Sequence, residues 1–218
     1  MAVSDDPADF LHPTGYIDSG HPRVTAFAQQ AVGDASNLRT RATRLFTAVR
    51  DGLRYNPWVV ETDPAEYRAS RILEREGSWC VPKSIVLVAA SRSVGVPARL
   101  GFADVRNHLA TEKLLATLGT DLFIFHGYVE FHLGDGWVKA TPAFNRELCE
   151  RFGVSPLEFD GQRDALLHEF DGQGRSYMEY VNDRGAYDDV PLEEFFTEFR
   201  AVYGDDSPLL SGVGRGQT

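Results

Sequence analysis

The sequence predicts an α+β fold, in which a helical N-terminal half packs its central helix against an antiparallel sheet supplied by the second half. Three stretches predict it. Apolar residues recur at helical spacing between Pro22 and Gly52, Val81–Val94 is apolar almost all round, and Asp121–Thr141 holds strand-like runs joined by a Gly-Asp-Gly turn.

Residues 1–22, rich in Pro, Gly and Asp, are expected to wrap the surface as an extended segment. A helix follows from Pro22 to Val32. Asp34 and Ser36 offer caps for a second helix, whose Leu38, Ala42, Leu45 and Val49 fall on one face and which Gly52 ends. RYNPWVV reads as a short extended segment broken at Pro57, and Pro64–Arg75 returns to a helical pattern. From Val81 to Ala90 there is almost no polar face, so this helix belongs inside the protein. Pro82 suits its first turn and Gly95 its C-terminal cap. Val96–Val105 then reads as a strand, His108–Gly119 as a helix or helical loop, and Asp121–Leu133 as a long strand whose turn leads into a partner from Trp137. Beyond Arg151, His168–Phe170 and Tyr177–Val181 are expected as short strands. Pro191–Tyr203 is expected as an amphipathic helix with Phe195, Phe196 and Phe199 inward. The expected organisation is one domain over residues 23–204, with a core at about 38–145, an extension over 146–204 and a frayed tail over 205–218.

A net charge of -10 across 218 residues repels phosphate backbones, so nucleic acid is not an expected partner. The N-terminus lacks a basic region followed by an apolar run, and no stretch approaches the about 20 apolar residues of a membrane helix. A cytoplasmic protein with no membrane partner is the expectation. Cys80 and Cys149 alone provide no disulfide framework, no CxxC and too few thiols for structural zinc, and the acidic clusters lack calcium-loop spacing. Neither metal nor cofactor is expected.

Cys80 stands at the N-terminus of the apolar helix, where free amides and the positive end of the dipole favour a thiolate. A nucleophilic thiol needs a base, and histidine is the usual one near neutral pH. His12 and His21 lie in the irregular N-terminal segment, His108 follows a turn and His168 lies late in the chain. His126 and His132 lie on the long strand at an even separation, so they share a face. Cys149 lies beyond the core with no helix N-terminus beside it and reads as packing or partly exposed.

Four pieces in register carry a resemblance: Gly77-Ser78-Trp79-Cys80, Gly95-Val96-Pro97-Ala98-Arg99, His126-Gly127-Tyr128-Val129-Glu130 and Gly136-Trp137-Val138-Lys139-Ala140-Thr141-Pro142. In order and spacing they resemble the transglutaminase-like superfamily, within the papain-type cysteine hydrolases and acyltransferases. The resemblance implies a papain-like core with Cys80 as nucleophile and His126 as base. It also implies attack on an amide or thioester carbonyl, in a small amide or a peptide or protein substrate, through an acyl-thioester that passes to water or an amine. Where the family usually has the orienting aspartate, this chain has Thr141. Thr141 ranks first as the imidazole's partner on register and Asn145 second on chemistry, with Asp104 and Glu130 behind; the substitution also leaves open an inactive binding module. An oxyanion hole would use the Cys80 N–H plus a donor from Asn56, Trp58 or Trp79. Lys83 either helps hold an anion or reaches solvent, His108 is a candidate to line the cleft, and Arg99 and Arg106 either bind a substrate carboxylate or pair with Asp104. Trp137 reads as core.

Overall fold

The computed structural model describes residues 4–108, 110–166 and 178–210. In chain order the elements are α1 (Pro22–Val32), α2 (Leu38–Gly52), β1 (Arg54–Tyr55), α3 (Ala69–Ile72), β2 (Gly77–Ser78), α4 (Cys80–Ser93), β3 (Ala98–Asn107), α5 (Glu112–Leu118), β4 (Leu122–His132), β5 (Trp137–Ala140), α6 (Arg146–Phe152), β6 (Met178–Tyr187) and α7 (Leu192–Tyr203). Strands β5, β4, β3 and β6 lie in that order in one antiparallel sheet, and β1 and β2 form a small parallel pair. The fold is α+β, with an antiparallel sheet.

Every residue of α4 from Cys80 to Arg92 is buried, as a helix without a polar face requires. Helices α1, α2 and α3 pack against it, and so do β3 and β4. The sheet comes close because a side chain is absent where it meets the helix: a Cβ on Gly127 would lie 3.1 Å from the Val81 Cα.

Several local expectations need correction. Asn37, rather than Asp34 or Ser36, caps α2, its Oδ1 accepting from the Thr40 N–H at 2.9 Å. Only the residue just before the first turn can reach that amide, and Asp34 is instead paired with Arg44 at 2.7 Å. Pro64–Arg75 is a 3-10 turn and the short α3, parted where Arg68 takes an extended ψ of 136°. The N-terminal segment is no loose wrapping: the turn Pro7–Leu11 buries Phe10, whose ring meets Trp137 edge-on at 5.3 Å, and Ile17 is fully buried. Ser207 and Leu209 are also buried, so the start of the expected tail is packed, while residues 211–218 lie outside the described residues. His168–Phe170 and Tyr177 lie outside them too; the rest of the YMEYV stretch opens β6, which continues to Tyr187. Among the described residues no helix is long and apolar enough to cross a membrane.

Candidate active site

β4 runs in unbroken register against β3 from the Ala103 and His126 pair to the Ala98 and Phe131 pair. Strand alternation therefore turns Gly127, Val129 and Phe131 toward α4 and His126, Tyr128, Glu130 and His132 to the other face. The contacts agree: a Cβ on Gly127 would sit 3.1 Å from Val81 Cα, Glu130 reaches Lys139 at 3.4 Å, and His132 meets Trp137 at 5.4 Å.

Backbone bonding alternates in the same way. The His132 N–H reaches Pro97 and the Leu133 N–H reaches Gly136, so even positions of β4 bond β3 and odd positions bond β5. But β5 ends at Ala140, opposite Val129, so no strand residue lies across from Gly127, where continued register would bring Pro142. The Gly127 N–H is thereby left without a strand partner, and it is directed at the Cys80 sulfur. The truncated strand thus opens the edge where Cys80, at the first position of α4, comes alongside the residue that follows His126.

The backbone just before His126 is bent. Phe125 has a φ of 52°, the one positive φ outside glycine among the described residues, and the ladder slips beside it between Ala103 and Val105. Asp104 clamps this bend: its Oδ1 accepts from the Phe125 N–H at 3.1 Å and from Arg184 Nε at 2.6 Å. Arg184 also bonds Glu198 at 2.6 Å, and its guanidinium lies 4.0 Å from the centre of the Phe125 ring. Asp104, weighed from sequence as a partner for the imidazole, is occupied here instead. Glu130 is likewise engaged, by Arg99 at 2.7 Å and by Lys139.

Cys80, His126, Asn56, Trp58, Trp79 and Asn145 line one cavity of 580 Å³. Thr141, Lys83, Arg106 and His108 are not among its lining residues. Lys83 is fully buried and donates to the carbonyls of Arg50 at 2.8 Å and Leu53 at 2.6 Å, so it ties α4 to the end of α2 rather than meeting an anion or solvent. Burial pushes its ammonium down to about 7. Arg106 pairs with Asp121 and Glu179, both at 3.1 Å, and His108 lies 3.5 Å from Glu179, which places both at the sheet's outer end. Arg99 is sandwiched against Trp137, 4.0 Å from its ring centre, besides its pairing with Glu130. Cys149 is buried in α6, within a small apolar cluster that includes Tyr128 and Met178.

The electrostatics depart from the expected thiolate. Burial pushes the Cys80 thiol up to about 11, outweighing the amides of Gly127, Val81 and Cys80 itself, which favour the anion. Burial also pushes His126 down to about 4, and its Nε2 has no hydrogen-bond partner among the described residues. The resting pair is a neutral thiol and a neutral imidazole. Thr141 Oγ1 is buried and equally unpartnered. Strand register continued one step past the Val129 and Ala140 pair, where β5 ends, would set it across from Tyr128 as a same-face diagonal neighbour of His126. Asn145, the other candidate partner, gives its Oδ1 to the Tyr55 N–H at 3.0 Å. Asn56 Oδ1 accepts from the Trp58 N–H at 3.0 Å, whereas the buried Trp79 Nε1 has no acceptor among the described residues.

Sequence patterning alone did not expose the freed Gly127 amide or the Asp104 clamp. The first depends on where β5 stops and the second on a bulge, and a strand pattern records neither.

A cysteine opening a buried helix and a histidine on the adjoining antiparallel strand, lining one cavity, define a cysteine-protease-like fold. The family model described as the transglutaminase-like superfamily matches residues 25–142, more than half of the chain, and the chain belongs to that superfamily. The chain is also similar to the crystal structure of a protein from Cytophaga hutchinsonii designated a candidate cysteine protease. The identity is 14%, with a TM-score of 0.48, over 85% of this chain and 55% of that one. The chain thus spans little more than half of that protein's length. No match is found among curated proteins.

Proposed function

We propose that the protein is a cysteine acyl-transfer enzyme, acting on amide or thioester carbonyls of a small amide or peptide substrate through an acyl-thioester on Cys80. The observation that carries this reading is the single cavity lined by both Cys80 and His126. Because both groups rest neutral, the thiol proton passes to the imidazole as the carbonyl arrives rather than beforehand. The sulfur adds to the carbonyl carbon, and the oxyanion finds donors in the Cys80 and Gly127 amides and Trp79 Nε1. Collapse breaks the bond to the leaving nitrogen or sulfur, which takes the proton from His126. Water or an amine then attacks the thioester, His126 accepts its proton, and Cys80 leaves as the thiol. Hydrolysis and amine transfer share every step up to that attack.

A second reading is an inactive binding module that keeps the cleft. Thr141 favours it: among the described residues no carboxylate bonds His126 Nε2 to stabilise the imidazolium that the enzyme cycle must form. Incubation with phenylacetyl thioesters and phenylacetyl anilides, followed by intact-mass analysis, separates the two readings. The enzyme gains one phenylacetyl group, mapped to Cys80, released by hydroxylamine and absent from Cys80→Ala. Folded protein that never acquires the adduct is the binding module.

A further inference from the structure

We propose that this cavity takes substrates whose apolar body ends in an anionic group, a carboxylate or a phosphate. The inference rests on the cavity being the substrate site of the proposed enzyme, and it names what that site selects. Much of the wall is apolar and aromatic, with Trp58, Phe123 and Phe199 among the lining residues. Its charged residues are Arg54, Arg151 and Glu147. Arg54 and Arg151 are both exposed, and neither has an ion pair with a described residue.

The chain carries 32 acidic residues against 22 basic ones, and among the described residues most exposed arginines are ion-paired, Arg68 and Arg200 being the others that are not. Arg23 holds Glu74 at 2.7 Å, Arg44 holds Asp34 at 2.7 Å, and Arg146 holds Glu158 at 3.0 Å. Arg54 and Arg151 belong to neighbouring walls of the cavity, since the Tyr55 N–H to Asn145 bond ties β1, which carries Arg54, to the start of α6, which carries Arg151. Guanidinium forks match carboxylate and phosphate oxygens, while an apolar wall beside them strips water from the rest of the ligand. Glu147, on the first turn of α6, opposes a diffuse attraction to anions, so an anion must bond the forks themselves to be held.

The test is equilibrium titration of tryptophan fluorescence in the unmodified protein with three probes: 4-phenylbutyrate, 3-phenylpropyl phosphate and neutral 4-phenylbutyramide. At least one anion is expected to bind about tenfold tighter than the amide, each guanidinium contributing about threefold. Whichever anion is tighter identifies the end group. In the Arg54→Gln/Arg151→Gln double variant the preference is expected to vanish while the amide binds unchanged. Lysine at both positions should restore part of it. Equal binding of the amide, a preference that survives the double variant, or no binding of any probe overturns the inference. Failure of the proposed chemistry reads differently, as a missing adduct at Cys80 in a protein that still prefers the anion.

Discussion

The two ends of α4 treat buried polar groups in opposite ways. At the C-terminal end the fully buried Arg92 spends its guanidinium on Ala98 O at 2.9 Å, His12 O at 2.8 Å, and Asp188 O and Oδ1 at 2.9 and 3.0 Å. Around the N-terminal end, Ser78 Oγ, Trp79 Nε1, Ser84 Oγ, His126 Nε2 and Thr141 Oγ1 are all buried without a partner; Ser207 Oγ is the only other such atom among the described residues. Orphaned groups of this kind each cost about 1–3 kcal/mol and are scarce in folded proteins, so their gathering at one helix end marks it as the place where stability was given up. One end joins the N-terminal segment, β3 and the loop before α7 into a single body. The other borders the cavity lined by Cys80 and His126.

The sharpest way to break this contrast is at the saturated end. Arg92→Leu strands the buried Ala98 carbonyl, removes the bonds to the His12 and Asp188 carbonyls and leaves the Asp188 carboxylate unpaired, and is expected to destabilise the fold by about 3–5 kcal/mol. Urea unfolding measures it. A loss below about 1 kcal/mol, smaller than one stranded buried acceptor, would mean that the bonds at this end are ornamental and the contrast false.

At the unsatisfied end the next largest effect is a matter of protons. His126 is held down to about 4 in the fold, against a usual value of 6.5. The unfolded chain therefore binds the proton first, and the stability tied to the neutral ring is present above pH 6.5 and lost as pH falls toward 4, an amount of about 3 kcal/mol. Thr141→Asp places a carboxylate at the position that continued strand register makes the diagonal neighbour of the ring. It is expected to raise the His126 pKa by about 1–3 units, followed by NMR titration, and to remove about 1 kcal/mol of the loss between pH 7 and 5. Acylation of Cys80 should quicken with it. An unmoved His126 titration would show that Thr141 does not face the ring.

How much of this was legible beforehand follows from what kind of signal each feature leaves. The buried helix and the long strand with its hairpin are written in hydrophobic periodicity, while the choice of Cys80, and of His126 over His132, came from the resemblance carried by four short motifs. The neutral resting state was not legible, because a helix N-terminus advertises stabilised charge while burial, which depends on every packed neighbour, decides against it. Lys83 shows the same limit: a lysine one turn into a helix looks like an anion holder until the end of α2 arrives with two free carbonyls. Arg54 and Arg151, nearly a hundred residues apart in the chain, have no shared pattern to read; only the fold makes them neighbours of one cavity.

The smallest predicted effect separates positioning from support. Asp104→Asn keeps an acceptor for the Phe125 N–H but loses the charge that Arg184 grips, which should cost about 1 kcal/mol of stability. Asp188→Asn weakens a single bond to Arg92 at the opposite end of α4, on a side chain that is 56% exposed, and should cost less. If the bend at Phe125 aims the imidazole, Asp104→Asn also slows acylation of Cys80 by about fivefold, with a matching loss in kcat and little change in KM, while Asp188→Asn leaves both alone. Equal kinetics in the two variants would reduce Asp104 to a structural ion-pair partner. A rate loss confined to Asp104→Asn would mean that the fold aims His126 through its backbone, a means of orientation that needs no acidic partner at Thr141.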